Sequence, residues 1–263
     1  MKARKRTSLI QDVQPPETRS LRKRATEIAD LLEEHLGKPV LSGRRSRPLE
    51  TLIATLLSQN TNDLNSHRAW VNLRKRYPRW EDVASAPSRE IAKTIEVGGL
   101  KNQKAQRIKK ILDIVRRDAG DFDLSFLKSK TNEEVIHYLT AMKGVGLKTA
   151  ACVLVFSMGR DVFPVDTHIH RVCNRLALAK SKTAEQTYAQ MRVIVPQRRA
   201  YSFHVNLIRF GRKVCRSQNP LCVECPLYDR CAFQDKERYA LNAAARPAKS
   251  RGNPDFIILH HVS

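Results

Sequence analysis

Apolar residues return at intervals of three and four through most of the chain. From Leu21 to Gly37, the residues Leu21, Ala25, Ile28, Leu31 or Leu32, and Leu36 mark one face of a helix that Gly37 is placed to end. The same spacing predicts helices over Leu49–Leu57, Leu64–Tyr77, Ser88–Ile95, Lys101–Ala119, Asn132–Met142, Leu147–Phe156, Thr167–Ala177, Ala184–Ile194 and Ala200–Arg212. Gly, Pro, Asn or Asp separates each from the next. Alternating runs flanked by hairpin dipeptides are missing, so the expected class is all-α.

Residues before Pro15-Pro16 show no such periodicity, and 1–17 is expected to be a disordered basic tail. Beyond Cys231 the chain turns Ala-rich with Pro and Gly punctuation; 240–254 is expected to be mobile, and the apolar patch Asp255-Phe-Ile-Ile-Leu-His260 finds no explanation. Val97-Gly-Gly-Leu100 faintly echoes Lys143-Gly-Val-Gly-Leu147, without a repeat of fixed period.

With 263 residues, 41% of them hydrophobic, the chain is long enough for one large domain or two small ones. Its longest apolar stretches, Leu52 to Leu57 and Ala150 to Phe156, fall far short of the ~20 residues of a membrane span. No membrane partner is expected.

Charge changes the picture more. Forty-eight Lys and Arg face 26 Asp and Glu, a formal +22, and the first 24 residues account for only +6 of it. A body that is itself basic is the footprint of a polyanion, nucleic acid before anionic membrane. Arg212, Lys213 and Arg216 are candidate phosphate contacts on this ground; a solvated basic face is the bland alternative.

Four of six cysteines, Cys215, Cys222, Cys225 and Cys231, crowd into a C-x6-C-x2-C-x5-C run. Four thiolates in one loop suit a [4Fe–4S] cluster or tetrahedral zinc, and the lack of a second C-x2-C pair favours the cluster. Two disulfides rank lower, because no signal peptide is evident and cytosolic cysteines stay reduced. Cys152 and Cys173 sit in apolar helical patterns and are read as core.

Leu139-Thr-Ala-Met-Lys-Gly-Val-Gly-Leu-Lys-Thr-Ala150 reads as helix, tight Gly-X-Gly turn, helix. The second helix would present bare amides and its positive dipole end to a phosphate, with Lys143, Gly144, Val145 and Gly146 as contacts. Lys148 lies in its first turn, where the dipole disfavours an ammonium, as an amine nucleophile requires. A solvated, phosphate-binding lysine is the alternative. Asp166, in Phe163-Pro-Val-Asp-Thr-His-Ile-His170, is a favoured N-cap residue. A helix from Lys148 to Met158 rises ~15 Å, and residues 159–165 can reach ~23–25 Å. Asp166 can therefore face Lys148.

These segments resemble a known family. Gly144-Val-Gly-Leu-Lys148-Thr-Ala, Val165-Asp-Thr-His-Ile-His-Arg-Val172, His204-Val-Asn-Leu-Ile-Arg-Phe-Gly211 and the cysteine loop look like the endonuclease III branch of the helix-hairpin-helix DNA glycosylases, matched from about Leu21 to Cys231. The resemblance implies a two-lobed all-α fold, with a six-helix barrel domain at 50–160, an iron–sulfur cluster domain from 18–49 with 161–240, and a C-terminal tail at 241–263. It also implies a bifunctional glycosylase and abasic-site lyase, acting on oxidised pyrimidines in double-stranded DNA. Lys148 would attack C1′ of a flipped nucleotide, with β-elimination of the 3′ phosphate following, and Asp166 would assist; flipping is required because the duplex shields the anomeric carbon. Asn60 stands where many members place Gln, in the segment that plugs the gap behind the flipped nucleotide. A monomer is expected, cytoplasmic and nucleoid-associated in a prokaryote, nuclear or mitochondrial in a eukaryote. A thymine or uracil mismatch glycosylase and a non-catalytic, metal-stapled DNA-binding protein are the competing readings; the Lys148–Asp166 pair argues against the latter.

Overall fold

The computed structural model describes residues 15–41 and 45–241; the tails and the 255–260 patch lie outside these. No strand occurs among the described residues. Twelve α-helices do: α1 (Pro15–Leu36), α2 (Pro48–Leu57), α3 (Asp63–Arg76), α4 (Trp80–Ser85), α5 (Ser88–Thr94), α6 (Lys101–Ala119), α7 (Asn132–Thr140), α8 (Leu147–Cys152), α9 (Thr167–Arg175), α10 (Ala184–Met191), α11 (Ala200–Lys213) and α12 (Lys236–Leu241). No helix among them is long and apolar enough to cross a membrane.

The chain divides into two compact units, one of Val40–Pro164 and one joining the residues before Val40 to those from Val165. The resemblance placed these cuts at 49/50 and 160/161. In the structure the run Val162 to Val165 is buried throughout, and the break falls within it, between Pro164 and Val165.

The Val40–Pro164 unit is built around α2. Every residue of α2 except Glu50 is buried, so the helix is apolar on all sides and central, with α3, α6 and α8 packed on it. Its two buried threonines are satisfied locally: Thr55 Oγ1 donates to Thr51 O at 2.6 Å, and Thr51 Oγ1 pairs with Ser46 Oγ at 2.7 Å. Lys104 interrupts the apolar stripe of α6 that continues through Ile108, Ile111 and Val115. Only 1% exposed, it donates from Nζ to Leu57 O at 2.7 Å and Gly98 O at 2.8 Å. One ammonium thereby closes the C-terminus of α2 and the short 3₁₀ turn Glu96–Gly98. Arg74 stacks over Trp80 at 4.5 Å, anchoring α4 to α3.

In the other unit α1 packs on α11, and α11 on α9. Asn206, fully buried in α11, donates to Gly37 O at 2.9 Å, and Gly37 takes φ +78° to end α1. Arg199 pairs with Asp30 at 2.6 Å and Glu33 at 3.0 Å.

Several expectations need correcting. Helix α1 begins at Pro15, six residues early, and takes residues 15–17 out of the expected tail; prolines are tolerated in a first turn, where their missing N–H would have no partner, and Glu17 suits that end. Helices α4 and α12, of six residues each, are too short for a periodicity to register. The helix expected over Leu147–Phe156 is α-helical only to Cys152; Val153–Ser157 forms a π turn. There the Met158 amide (3.3 Å) and Ser157 Oγ (2.7 Å) both seek Val153 O.

Burial, helped by the Arg107 charge, pushes the Lys104 ammonium down to about 8. Between that value and the ordinary lysine range the folded chain has released a proton that the unfolded chain retains, so this group makes stability rise with pH. Lys104→Met should cost about 2 kcal/mol near pH 7, because two helix-end carbonyls lose their donor. The gap to wild type should widen between pH 8 and 10 in urea titrations; a constant gap would refute the assignment.

Candidate active site

Helix α7 starts from the Thr131 cap, whose Oγ1 accepts the Glu134 amide at 3.2 Å, and stops at Thr140. Two tight turns follow, with Met142 N donating to Leu139 O and Val145 N to Met142 O, each at 3.1 Å. They return the chain into α8. Gly144 takes φ +90°, and a Cβ there would stand 2.6 Å from Arg107 Cδ, so both backbone conformation and space demand glycine. Gly146 is at ordinary φ with open space around it.

Of the four residues expected on DNA here, Lys143 and Gly146 are exposed and Gly144 half-buried. The Val145 side chain is 5% exposed and points into the core, and its amide is already bonded within the turn. Lys148 is half-buried in the first turn of α8, whose cap residue Gly146 offers no side chain to the helix amides. That leaves the dipole end of α8 uncompensated by a side-chain cap.

The turn between α2 and α3 projects Asn60. It is exposed and left-handed, φ +52°, a conformation Asn tolerates better than Gln because its short amide can bond locally. Asn62 then caps α3, accepting the Asn65 amide at 2.9 Å. Gln59, next to Asn60, donates to Gly144 O at 3.1 Å and accepts from Arg107 Nη1 at 3.3 Å. Sequence reading missed Gln59, Arg107 and Lys104. A lysine on an apolar stripe was the available signal for Lys104; nothing in the spacing marks the other two.

In the second unit Asp166 caps α9, its Oδ1 accepting the Ile169 amide at 2.8 Å. The carboxylate is half-buried and held by this bond in one orientation. Burial first, and the Asp166 charge second, push the Cys173 thiol up. Arg171, one turn further along α9, reaches Gly211 O at 2.9 Å and Cys215 O at 3.0 Å. The middle of α9 is thereby tied to the cysteine loop.

All six cysteines are free of disulfides, and Cys152 and Cys173 are fully buried in the core. Cys215, Cys222, Cys225 and Cys231 line one cavity, partly open to solvent and walled by Phe210 and Leu221. Burial pushes the Cys225 thiol up to about 12, and the neighbouring thiols act in the same direction. Among the described residues no three His, Cys, Asp or Glu side chains converge on a single ion position. Arg175 Nη1 lies 3.4 Å from Cys215 Sγ, and the Phe233 amide 3.5 Å from Cys231 Sγ; both are donors of the kind that stabilise thiolates. Arg212, Lys213 and Arg216 are half-buried about the first of these cysteines.

Residues 53–197 match the sequence model of a family described as HhH-GPD superfamily base excision DNA repair protein. Endonuclease III of Thermotoga maritima is 32% identical over 206 residues, 78% of this chain and 92% of that one. Endonuclease III of Escherichia coli K12 is 35% identical over 220 residues, 80% and 95%. A solved non-covalent endonuclease III–DNA complex superposes with TM-score 0.70 at 26% identity, covering 82% of this chain and 97% of that one. Glycine-bearing hairpin, lysine-led helix and all-α units are thus those of a helix-hairpin-helix base excision repair enzyme, and the chain belongs to that superfamily. Within it, the chain is a member of the endonuclease III family of DNA glycosylases and abasic-site lyases.

The two hairpin glycines should separate folding from binding. Gly144→Ala meets both strain and Arg107, and should lose about 1–3 kcal/mol of stability. Gly146→Ala should melt like wild type yet bind duplex DNA several-fold more weakly if the hairpin backbone approaches phosphates. Thermal melts beside fluorescence anisotropy would read both; equal melting of the two variants would contradict the structure.

Proposed function

We propose that the protein excises oxidised pyrimidines from double-stranded DNA and cleaves the resulting abasic strand by β-elimination, with Lys148 as nucleophile. The supporting observation is the half-buried placement of Lys148 in the first turn of α8, behind a turn that offers no side-chain cap. The dipole of that turn repels an ammonium and so favours the free amine. Its lone pair attacks C1′ of the extruded nucleotide, the glycosidic bond breaks, and the base departs with the bonding electrons. Nζ then loses a proton and the C1′–O4′ bond opens, O4′ taking the bonding electrons and a proton, to leave an iminium between Nζ and C1′; this acidifies the C2′ proton, and loss of that proton expels the 3′ phosphate. Asp166, oriented by its cap bond to Ile169, is the carboxylate assigned to balance positive charge on the sugar and to move protons. Asn60, exposed on its turn, is assigned to fill the gap left in the stack, and Lys143, Gly144 and Gly146 with Arg212, Lys213 and Arg216 to hold phosphates.

We further infer that the four-cysteine loop holds a [4Fe–4S] cluster. Four cysteines lining one cavity, with a single C-x2-C pair among them, suit a polynuclear centre better than a zinc ribbon built on two such pairs. Bound there, the cluster supplies iron–thiolate bonds that cross-link residues 215–231. The cavity's apolar wall and its donors to sulfur support thiolate ligation.

Borohydride added during reaction with abasic DNA should trap a covalent complex. Lys148→Gln should abolish trapping and strand cleavage while DNA affinity stays within about threefold, since only the reacting amine has gone. Asp166→Asn keeps the cap and should slow the reaction by about 10²-fold or more. Normal trapping by Lys148→Gln would assign the chemistry to another amine.

Purified protein should be brown, with about four irons and four sulfides per chain, and chelation under oxidising conditions should unfold the cysteine loop. One zinc per colourless, folded chain would reject the cluster.

A further inference from the structure

Three elements of the Val40–Pro164 unit meet at the side chain of Gln59. Its Nε2 donates to Gly144 O in the hairpin at 3.1 Å and stands 3.5 Å from Thr149 Oγ1 on α8. Its Oε1 accepts from Arg107 Nη1 on α6 at 3.3 Å. Guanidinium on one side and carbonyl on the other permit one orientation of the amide. Arg107 fills the space beside Gly144, its Cδ and Nε 2.6 and 2.7 Å from the place where a Gly144 Cβ would stand. The amide is thus held between the Arg107 guanidinium and a hairpin whose glycine stands at φ +90°.

The neighbours of these contacts are the residues of the proposed reaction. Asn60 follows Gln59 directly, and Lys148 precedes Thr149 directly. On the other side of the same turn, Lys104 fixes Leu57 O, so the turn is held at its base while Gln59 and Asn60 form its projecting part. A shift of Asn60 is transmitted through one peptide to Gln59, and from there to the Gly144 peptide and the first turn of α8.

We propose that Gln59 is a positioning residue that couples filling of the strand gap by Asn60 to the placement of Lys148, so that fast turnover requires a duplex closed behind the extruded nucleotide. This rests on the gap-filling role given to Asn60 above. The coupling runs through Gln59 Nε2, which donates to Gly144 O in the hairpin and reaches Thr149 Oγ1 on α8, whereas the Arg107 bond ties Gln59 back to the scaffold.

Glutamate at position 59 separates the two sides of the amide: it keeps the acceptor for Arg107, strengthened by charge, and loses the Nε2 donor shared by Gly144 O and Thr149 Oγ1. Single-turnover lyase rates would be measured on one abasic site in duplex and in single strand for wild type, Asn60→Ala, Gln59→Met, Gln59→Glu and the Asn60→Ala/Gln59→Met double variant, with melting temperatures alongside. Each single variant should lower the duplex-to-single-strand rate ratio about tenfold, and the double variant no further, the signature of two residues acting as one unit. Gln59→Glu should show that loss with an undiminished melting temperature, which a merely structural role would not produce. If Asn60→Ala acts but Gln59→Glu keeps the wild-type ratio, or the losses multiply, the coupling is overturned and the gap-filling role stands. If Asn60→Ala leaves the ratio unchanged, the gap-filling role fails and the coupling falls with it.

Discussion

A helix buried on every side must have its ends satisfied from elsewhere, and in this protein that requirement falls on Lys104. Helix α2 brings nine buried residues to the centre of its unit and so cannot rely on water for its last carbonyls. The ammonium that meets Leu57 O also meets Gly98 O, so the turn after α2 and the turn before α6 share a single anchor. Everything that projects from those turns inherits its position from that anchor: Asn60 on one, and on the other Leu100, half-exposed in a left-handed conformation (φ +48°). The faint sequence echo between Val97-Gly-Gly-Leu100 and the hairpin thus marks a second glycine turn that leads into a helix.

The second unit meets its own constraint differently. Its cysteine loop contains only single 3₁₀ turns, Cys222–Glu224 and Tyr228–Arg230, and little of it is buried. Arginines from α9 take up its backbone instead: Arg171 binds Cys215 O, and Arg175 binds Arg216 O at 2.8 Å while stacking on Phe233 at 4.1 Å. Asp166 begins the same helix. The residue assigned to proton transfer and the residues that hold the cysteine loop are therefore fixed by one nine-residue element.

Most of this architecture was legible in the chain, for reasons that differ by element. Helix α6 was read to the residue because a long apolar stripe, a preceding Gly-Gly and a following Gly120 all agree. The hairpin, the Asp166 cap and the gathering of the four cysteines were readable because glycine, aspartate and cysteine each mark local structure at fixed spacing. Where local signals were short or contradictory, reading failed. Pro15-Pro16 looked like a barrier and is a first turn; Val153–Ser157 keeps a helical apolar pattern while its carbonyl at Val153 is shared by two donors. The Gln59–Arg107–Gly144 contacts were unreadable in principle, since they join residues 48 and 85 positions apart and no periodicity records such a meeting.

Many of the chain's cations turn to the protein's own backbone. Arg24, Arg74, Arg160, Arg171, Arg175, Lys104, Lys109 and Lys236 each donate to backbone carbonyls. Carbonyls carry no net charge and do not titrate, and most of these bonds are at least partly buried, so dissolved ions weaken them little. Cations that meet a polyanion in water respond in the opposite way, each exchanging with counterions as ionic strength rises. The same two residue types thus form two populations with different sensitivities. Salt concentrations that strip nucleic acid from the surface leave the internal cations in place, and release from a strand need not loosen the body that lets go of it.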